Sequence, residues 1–570
     1  MRRWLRRIAI GLGLVLAILG ALAWYLAGLP WRNRCAVPGG LVARAPHANS
    51  AVATSQPLAT EAAAAVLRDG GSAVDAAIAA ALMLGVVEPG NSGLGGGGFA
   101  LIHDPAADKD VAIDFRERAP LGLDKSALDA TLKKDPLALR NGPSSVAVPA
   151  EWAGLLELHR RWGRLPLSRL ARPAIAAARA GVPIDKEYTA RCWVRIAQLR
   201  ADPEARATYL AGGLCPLPGW TLREPALADT LTALSDDQQP VSWEERVGRK
   251  LVAFMAGKQS GISARDLEGP RVAERPVVTG SFLGRRIVSM GPPSSGGIVL
   301  IGMLESYERM RKRLPKANPL HVWVEASRLA FYDRATLLGD PDFVTVPSER
   351  LLSAQYADAQ AARALEQAEV ALPNDASPRE SMHTTHLSIV DKSGLAIALT
   401  QTINVPFGSG LVVPGTGVLL NDEMDDFYAA GPNAFGLLGN ELNAPAPGKR
   451  PLSSMSPTFV FDGSELVLVL GSPGGSNIPT AVAWVIRAMI EGHLSAEDAI
   501  RSPRIHHQWQ PPVLQVEPRF DRASLPPDLA RIAKKPQFPV GRVQLLSRDA
   551  QGWQGVSDCR DQGEPWAAAL

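Results

Sequence analysis

Of the 570 residues, the stretch Thr384-Thr385-His386-Leu387-Ser388-Ile389-Val390 constrains the fold most tightly. A polar run from Pro373 to Glu380 precedes it and reads as a loop, after which a strand pattern begins abruptly on a hydroxyl residue. A second strand pattern runs from Leu395 to about Thr402, with Lys392-Ser393-Gly394 forming a three-residue hairpin loop between them. The last position of such a loop takes the left-handed backbone conformation, which Gly394 adopts without steric cost. The loop pairs Asp391 with Leu395, and stepping outwards along both strands sets Thr384 opposite Thr402. Threonine is a good strand former in its own right. Two facing hydroxyls at the open end of a hairpin therefore mark either plain strand residues or a reactive pair.

The rest of the chain is that of a large globular protein, with 46% hydrophobic and 21% charged residues and a net charge of +3. No basic run with interleaved aromatics is present, so a nucleic-acid footprint is not indicated. The first 34 residues stand apart. Arg2, Arg3, Arg6 and Arg7 precede an apolar run from Ile8 to Leu29, long enough as a helix to cross the roughly 30 Å of a bilayer core. The arginines favour a cytoplasmic tip, which sends the body to the periplasm or cell exterior. The length of the run, with Trp24 and Tyr25, favours a retained signal-anchor helix. The competing reading is an export signal cut near Ala21-Leu22-Ala23. Four cysteines, Cys35, Cys192, Cys215 and Cys559, allow three pairings in an oxidising compartment, and Cys192 with Cys215 would close one short loop. No CxxC spacing exists, so no metal or cofactor site is expected.

Along the chain, the Ala-rich segment from Leu58 to Leu84 predicts two buried helices joined at Gly70-Gly71. The glycine run Gly93–Gly98 enters a strand and lacks a phosphate-cradle pattern, so it predicts close backbone packing beside a site. The strand Val111–Phe115 ends at Arg116, where a guanidinium is placed either to grip a carboxylate in two-pronged fashion or to pair with Glu117 or Asp114. From Trp152 to about Gly280 the pattern is mostly helical. A strand from Arg286 to Met290 meets Gly291–Gly297 and a helix from Ile298 to about Arg311, the strand–turn–helix unit of a mixed α/β protein. The acidic knot Asn421–Phe427 lacks EF-hand spacing. It reads as a solvated loop or as a pocket for a substrate ammonium. A hairpin over 458–470 leads through Gly471–Ser476 into an apolar helix, and glycine N–H groups at such a junction suit an oxyanion hole.

Taken together and in order, these motifs resemble the γ-glutamyltransferase family of N-terminal nucleophile hydrolases. The matching elements are Gly93–Gly98, DFRERAP (Asp114–Pro120), GPPSSGG (Gly291–Gly297), LGDPDF (Leu338–Phe343), TTHLSIVDKSG (Thr384–Gly394), LLNDEMDDF (Leu419–Phe427), RPLSSMSP (Arg450–Pro457) and GSPGGS (Gly471–Ser476). The resemblance spans about Ala51 to Asp561. It implies an α/β (α+β) fold, the four-layer αββα sandwich, behind one N-terminal transmembrane helix. It implies autocatalytic cleavage between His383 and Thr384, giving a large subunit (35–383), a small subunit (384–570) and a heterodimer from one precursor. Freed, Thr384 would carry nucleophile and base in one residue, with Thr402 as its hydrogen-bond partner and Gly474 and Gly475 as oxyanion donors. Arg116, Ser453 and Ser454 would hold the α-carboxylate of a γ-glutamyl group, and Asn404, Glu423 and Asp426 its α-ammonium. Phe435 stands in the lid loop where a tyrosine is common, which implies steric closure without a phenol hydroxyl.

The implied activity is γ-glutamyl transfer and hydrolysis on glutathione and related compounds, passing the group to water or to an amino-acid or peptide amine. No cofactor and no nucleic acid are implied. Two alternatives stand beside it. One is an acylase for another group, such as a cephalosporin side chain or poly-γ-glutamate; members acting on cephalosporin side chains tend to lose the acid found here as Asp426. The other is a non-catalytic, membrane-tethered binding protein, which predicts loss of the nucleophile or the oxyanion glycines.

Overall fold

In the computed structural model, the central hairpin forms as its loop length requires. Strand Thr385–Val390 pairs antiparallel with Ala396–Thr402 in the register Thr385↔Gln401 through Val390↔Ala396. The Asp391 N–H donates to the Leu395 carbonyl at 3.0 Å, and Gly394 sits at φ +86°. The structure describes residues 35, 42–43, 48–269, 271–366, 384–428, 431–536, 538–562 and 565–570. The contacts divide the chain into Met1–Gly39, of which only Cys35 is described, and Gly40–Leu570. The expected membrane segment Ile8–Leu29 and the expected cleavage residue His383 lie outside the described residues. Among those described, no helix is long and apolar enough to cross a membrane.

The hairpin lies at the centre of a seven-stranded sheet. Its first strand is flanked by Ser50–Thr54 and its second by Gly97–Asp104; Trp566–Ala568, Lys109–Phe115 and Ala273–Arg275 complete the sheet. A second seven-stranded sheet runs in the order Val42–Ala43, Gly552–Val556, Gln544–Asp549, Glu465–Gly471, Thr458–Asp462, Arg285–Ser289 and Val278–Phe282. Side chains alternate across each strand. Ala51, Ala53, Phe99, Leu101 and Ala398 face Val288, Phe459, Phe461, Val469 and Leu546 of the second sheet, forming the core between the sheets. The intervening residues Val52, Ala100, Ile102, Ile389 and Ile397 face helices on the other side.

Those helices include the expected Ala-rich pair, Pro57–Arg68 and Ala73–Val87, the second opened by a Ser72–Asp75 capping box. Almost every residue of the second is buried, which its run of small side chains permits. The second sheet is covered by Gly296–Arg313 and Asn477–Ile490, giving four layers, helix–sheet–sheet–helix. The stretch expected to be mostly helical is so, but it is broken by short strands at Val182–Pro183 and Thr221–Leu222 and by Ala273–Arg275 and Val278–Phe282 near its end. The first two pair with each other and the other two join separate sheets, partners that no local pattern specifies. Of the three open cysteine pairings, Cys192 with Cys215 is formed, tying the helix Lys186–Ala201 to a downstream loop.

Candidate active site

Thr384 lies one residue ahead of the hairpin strand, buried, and its Oγ1 donates to Thr402 Oγ1 at 3.3 Å. Thr402 Oγ1 also accepts from the Asn404 backbone N–H at 2.9 Å. Asn404 takes the left-handed backbone (φ +74°), a conformation asparagine tolerates. Its side-chain amide donates to the Asp422 carbonyl at 3.0 Å. The glycine run makes this close approach feasible, since a Cβ at Gly96 would lie 1.9 Å from the Thr402 carbonyl oxygen. The expectation of close packing there holds.

Arg116 follows directly on the strand Lys109–Phe115, with its backbone N–H held by Asp114 Oδ1 at 2.9 Å. Its side chain pairs with neither Asp114 nor, closely, with Glu117. Nη1 lies 2.7 Å from Glu423 and Nη2 2.5 Å from Asp426, while Glu117 is 3.7 Å away. Nη2 also donates to the Leu452 carbonyl at 3.2 Å. The acidic knot is therefore not a solvated loop: Glu423–Asp426 form a buried 3-10 turn. Asn421 ties that turn inwards, donating to the Gly95 carbonyl at 2.7 Å and accepting from Ala147 and Glu423 N–H groups.

Four acids of the knot divide into two pairs. Asp422 accepts from the Val405 N–H, and Asp425 pairs with Arg140 at 2.9 Å; both hold the loops. Glu423 and Asp426 face Arg116. Burial pushes the Glu423 carboxyl well above its usual range against the pull of Arg116, and burial likewise pushes Glu117 up to about 8. Burial alone would lower the Arg116 guanidinium, but Glu423 and Asp426 outweigh it and hold the charge firmly in place.

Ser453 and Ser454 reach the site through a motif whose purpose was not legible in advance. In GPPSSGG, Ser295 donates both its N–H (2.8 Å) and its hydroxyl (2.5 Å) to the Ser453 carbonyl. Ser294 Oγ donates to the Met455 carbonyl at 2.6 Å. LGDPDF supports the same segment from the other side, Asp340 accepting from the Arg450 N–H at 2.7 Å.

Thr384, Thr402, Asn404, Arg116, Glu423, Asp426, Ser453 and Ser454 all line one cavity. Phe435 and Gly475 also line it, in direct apposition: a Cβ on Gly475 would lie 2.3 Å from the Phe435 ring. Gly474 is not on the wall. It packs on Gly541, 3.3 Å from where its own Cβ would stand. One lining residue had no sequence signal beyond a charge on a largely apolar helix. Arg334, on Pro319–Leu337, is fully buried and donates to the Leu438 carbonyl at 3.0 Å. Burial lowers it to about 10.

One cavity thus joins a hydroxyl pair, a fixed cation, two facing carboxylates and the Phe435 ring against a glycine turn. It suits an acyl group carrying both a carboxylate and an ammonium, presented to a hydroxyl nucleophile. The family model described as gamma-glutamyltranspeptidase matches residues 59–568. The chain is 36% identical over 498 residues to the glutathione hydrolase proenzyme of Pseudomonas sp. (strain A14), covering 85% of each chain. It is 35% identical over 489 residues to that of Escherichia coli (strain K12), covering 83% of each. Among solved structures it is similar to a cephalosporin acylase from Bacillus halodurans, with a TM-score of 0.79, 26% identity, and coverage of 93% of this chain and 97% of that one.

Proposed function

The chain belongs to the gamma-glutamyltranspeptidase family, and on that footing we propose that it cleaves the γ-glutamyl bond of glutathione and related compounds through Thr384. Maturation would cut between His383 and Thr384: Thr384 Oγ attacks the His383 carbonyl carbon, the C–N bond breaks to leave an ester and a free Thr384 amine, and water hydrolyses the ester to release the His383 carboxylate and restore the Thr384 hydroxyl. In turnover that amine takes the proton of the Thr384 hydroxyl as Oγ adds to the γ-carbonyl carbon. The oxyanion is received by backbone N–H groups of the Gly474–Gly475 turn, of which Gly475 lines the cavity. The C–N bond then breaks, the departing amine carries the proton away, and a γ-glutamyl ester remains on Thr384. Water or an acceptor amine takes the group in the second half of the cycle.

The observation that carries this reading is the placement of Arg116, Glu423 and Asp426 in one cavity with Thr384. A zwitterionic acyl end satisfies both signs of charge, and an acyl group lacking either leaves a buried charge unpaired. The likeness to a cephalosporin acylase gives a second reading, a hydrolase of acyl groups without the α-ammonium. Asp426, held in the cavity, weighs against it. The N-terminal apolar run supports membrane anchoring with the body outside the cytoplasm. A pair of anilides decides between the two acyl readings: γ-glutamyl-p-nitroanilide and its glutaryl counterpart, which lacks the ammonium. Preference for the first supports the γ-glutamyl reading; equal or better release from the second overturns it.

A further inference from the structure

The lid turn is joined to the substrate acids through one side chain. Asn433 Oδ1 accepts from the N–H groups of both Phe435 and Leu437 at 3.0 Å. Two donors on one atom fix the amide orientation, so the group facing the other way is the NH2. It donates to Asp426 Oδ1 at 2.8 Å, while Asp426 Oδ2 faces Arg116. The side chain is buried, 9% exposed. Contacts apart from Glu423 and Asp426 also hold the turn: Asp425 Oδ2 accepts from the Ala434 N–H at 2.6 Å. Gln508 Nε2 donates to the Phe435 carbonyl at 3.0 Å, and Arg334 donates to the Leu438 carbonyl.

We propose that Asn433 is a positioning residue that sets specificity for an α-ammonium: one amide fixes the Asp426 carboxylate and ties it to the lid turn over the cavity. The inference rests on the proposed γ-glutamyl reading. With Asn433 in place, Asp426 cannot swing away from the cavity, and the turn carrying Phe435 is registered on the same carboxylate. A substrate whose ammonium engages Asp426 therefore strengthens the seat on which the lid rests. An acyl group without the ammonium leaves that seat unaided.

Asn433→Asp is the discriminating variant. An aspartate keeps the oxygen that caps the Phe435 and Leu437 N–H groups, but sets a carboxylate against Asp426. Asn433→Ala removes both links. Both variants are compared with Phe435→Ala, which strips the lid ring and keeps the Asn433–Asp426 bond. The readout is the ratio of kcat/KM for γ-glutamyl- over glutaryl-p-nitroanilide in the full-length protein. The expected result is a ratio lowered about tenfold or more by Asn433→Asp and by Asn433→Ala, mainly through a raised KM on the γ-glutamyl compound. Phe435→Ala should lower both activities together and keep the ratio. An unchanged ratio in the Asn433 variants, or an equal loss of ratio in Phe435→Ala, overturns the inference. Absence of any γ-glutamyl preference in the unaltered protein instead overturns the proposed function, and this inference with it.

Discussion

Arg116 touches Glu423 and Asp426 directly, so a zwitterionic substrate must exchange with contacts the protein already makes. Its guanidinium also donates to backbone carbonyls of Pro451 and Leu452. Lysine reproduces the charge but not this fork of donors. Arg116→Lys should lower kcat/KM for γ-glutamyl-p-nitroanilide by about a hundredfold, read by steady-state kinetics beside a melting curve. Retained kcat/KM would show that the carboxylate is held elsewhere. Most of the residues that come together around the cavity were legible because they sit in short motifs with a resemblance behind them. Arg334, Asn433 and Gln508 were not, because each acts on a partner about 70 or more positions away or through an amide indistinguishable in sequence from a surface one. Gly474 shows the opposite limit: two adjacent glycines look equivalent, and only packing on Gly541 separates them.

Among the elements, the turn Gly471–Ser476 and the turn that carries Phe435 interlock. Gly475 has φ +55°, and any Cβ there would overlap the Phe435 ring. Gly475→Ala should therefore displace the lid and strain the turn at once, lowering kcat/KM by at least about tenfold in kinetic assay while the two sheets stay folded by circular dichroism. A second prediction concerns the helix Pro225–Leu234, which starts beside the buried Glu224. Burial raises that carboxyl from its ordinary 4.5 to about 8, with the Tyr209 hydroxyl donating to it at 3.2 Å. The folded chain thus keeps a proton that the unfolded chain releases. The stability this confers is complete below about 4.5 and is lost as pH climbs to about 8. Glu224→Gln should remove this slope, so the variant gains on the unaltered protein between those limits, by an amount on the order of 5 kcal/mol. Denaturant melts at pH 5 and pH 8.5 test it, and a gap that stays constant with pH would refute the assignment. The hairpin register was readable because a three-residue loop leaves one pairing. Sheet order was not: the neighbours of that hairpin come from residues 50–54 and 97–104, roughly 300 positions upstream.

Over the whole molecule, a cut before Thr384 would run through both sheets without dividing them. In the sheet that holds the hairpin, Thr385–Val390 is paired with Ser50–Thr54, and Ala396–Thr402 with Gly97–Asp104. In the other, Thr458–Asp462 is paired with Arg285–Ser289. Each fragment would contribute strands to both sheets, and neither would hold a closed core of its own. The fragments should therefore co-elute as one species on size exclusion in native buffer and separate only in denaturant. Elution as two species would contradict the interleaved topology. The four-layer architecture was legible only through the family resemblance, and this interleaving depends on long-range strand pairing that local sequence patterns do not carry. N-terminal sequencing of the smaller fragment from denaturing gels decides whether Thr384 is both the cutting residue and the new N-terminus. The expected result is Thr384-Thr385-His386-Leu387 at its start, and a single uncut chain for Thr384→Ala. An active but uncut protein, a fragment with another first residue, or cleavage that persists in Thr384→Ala would contradict it.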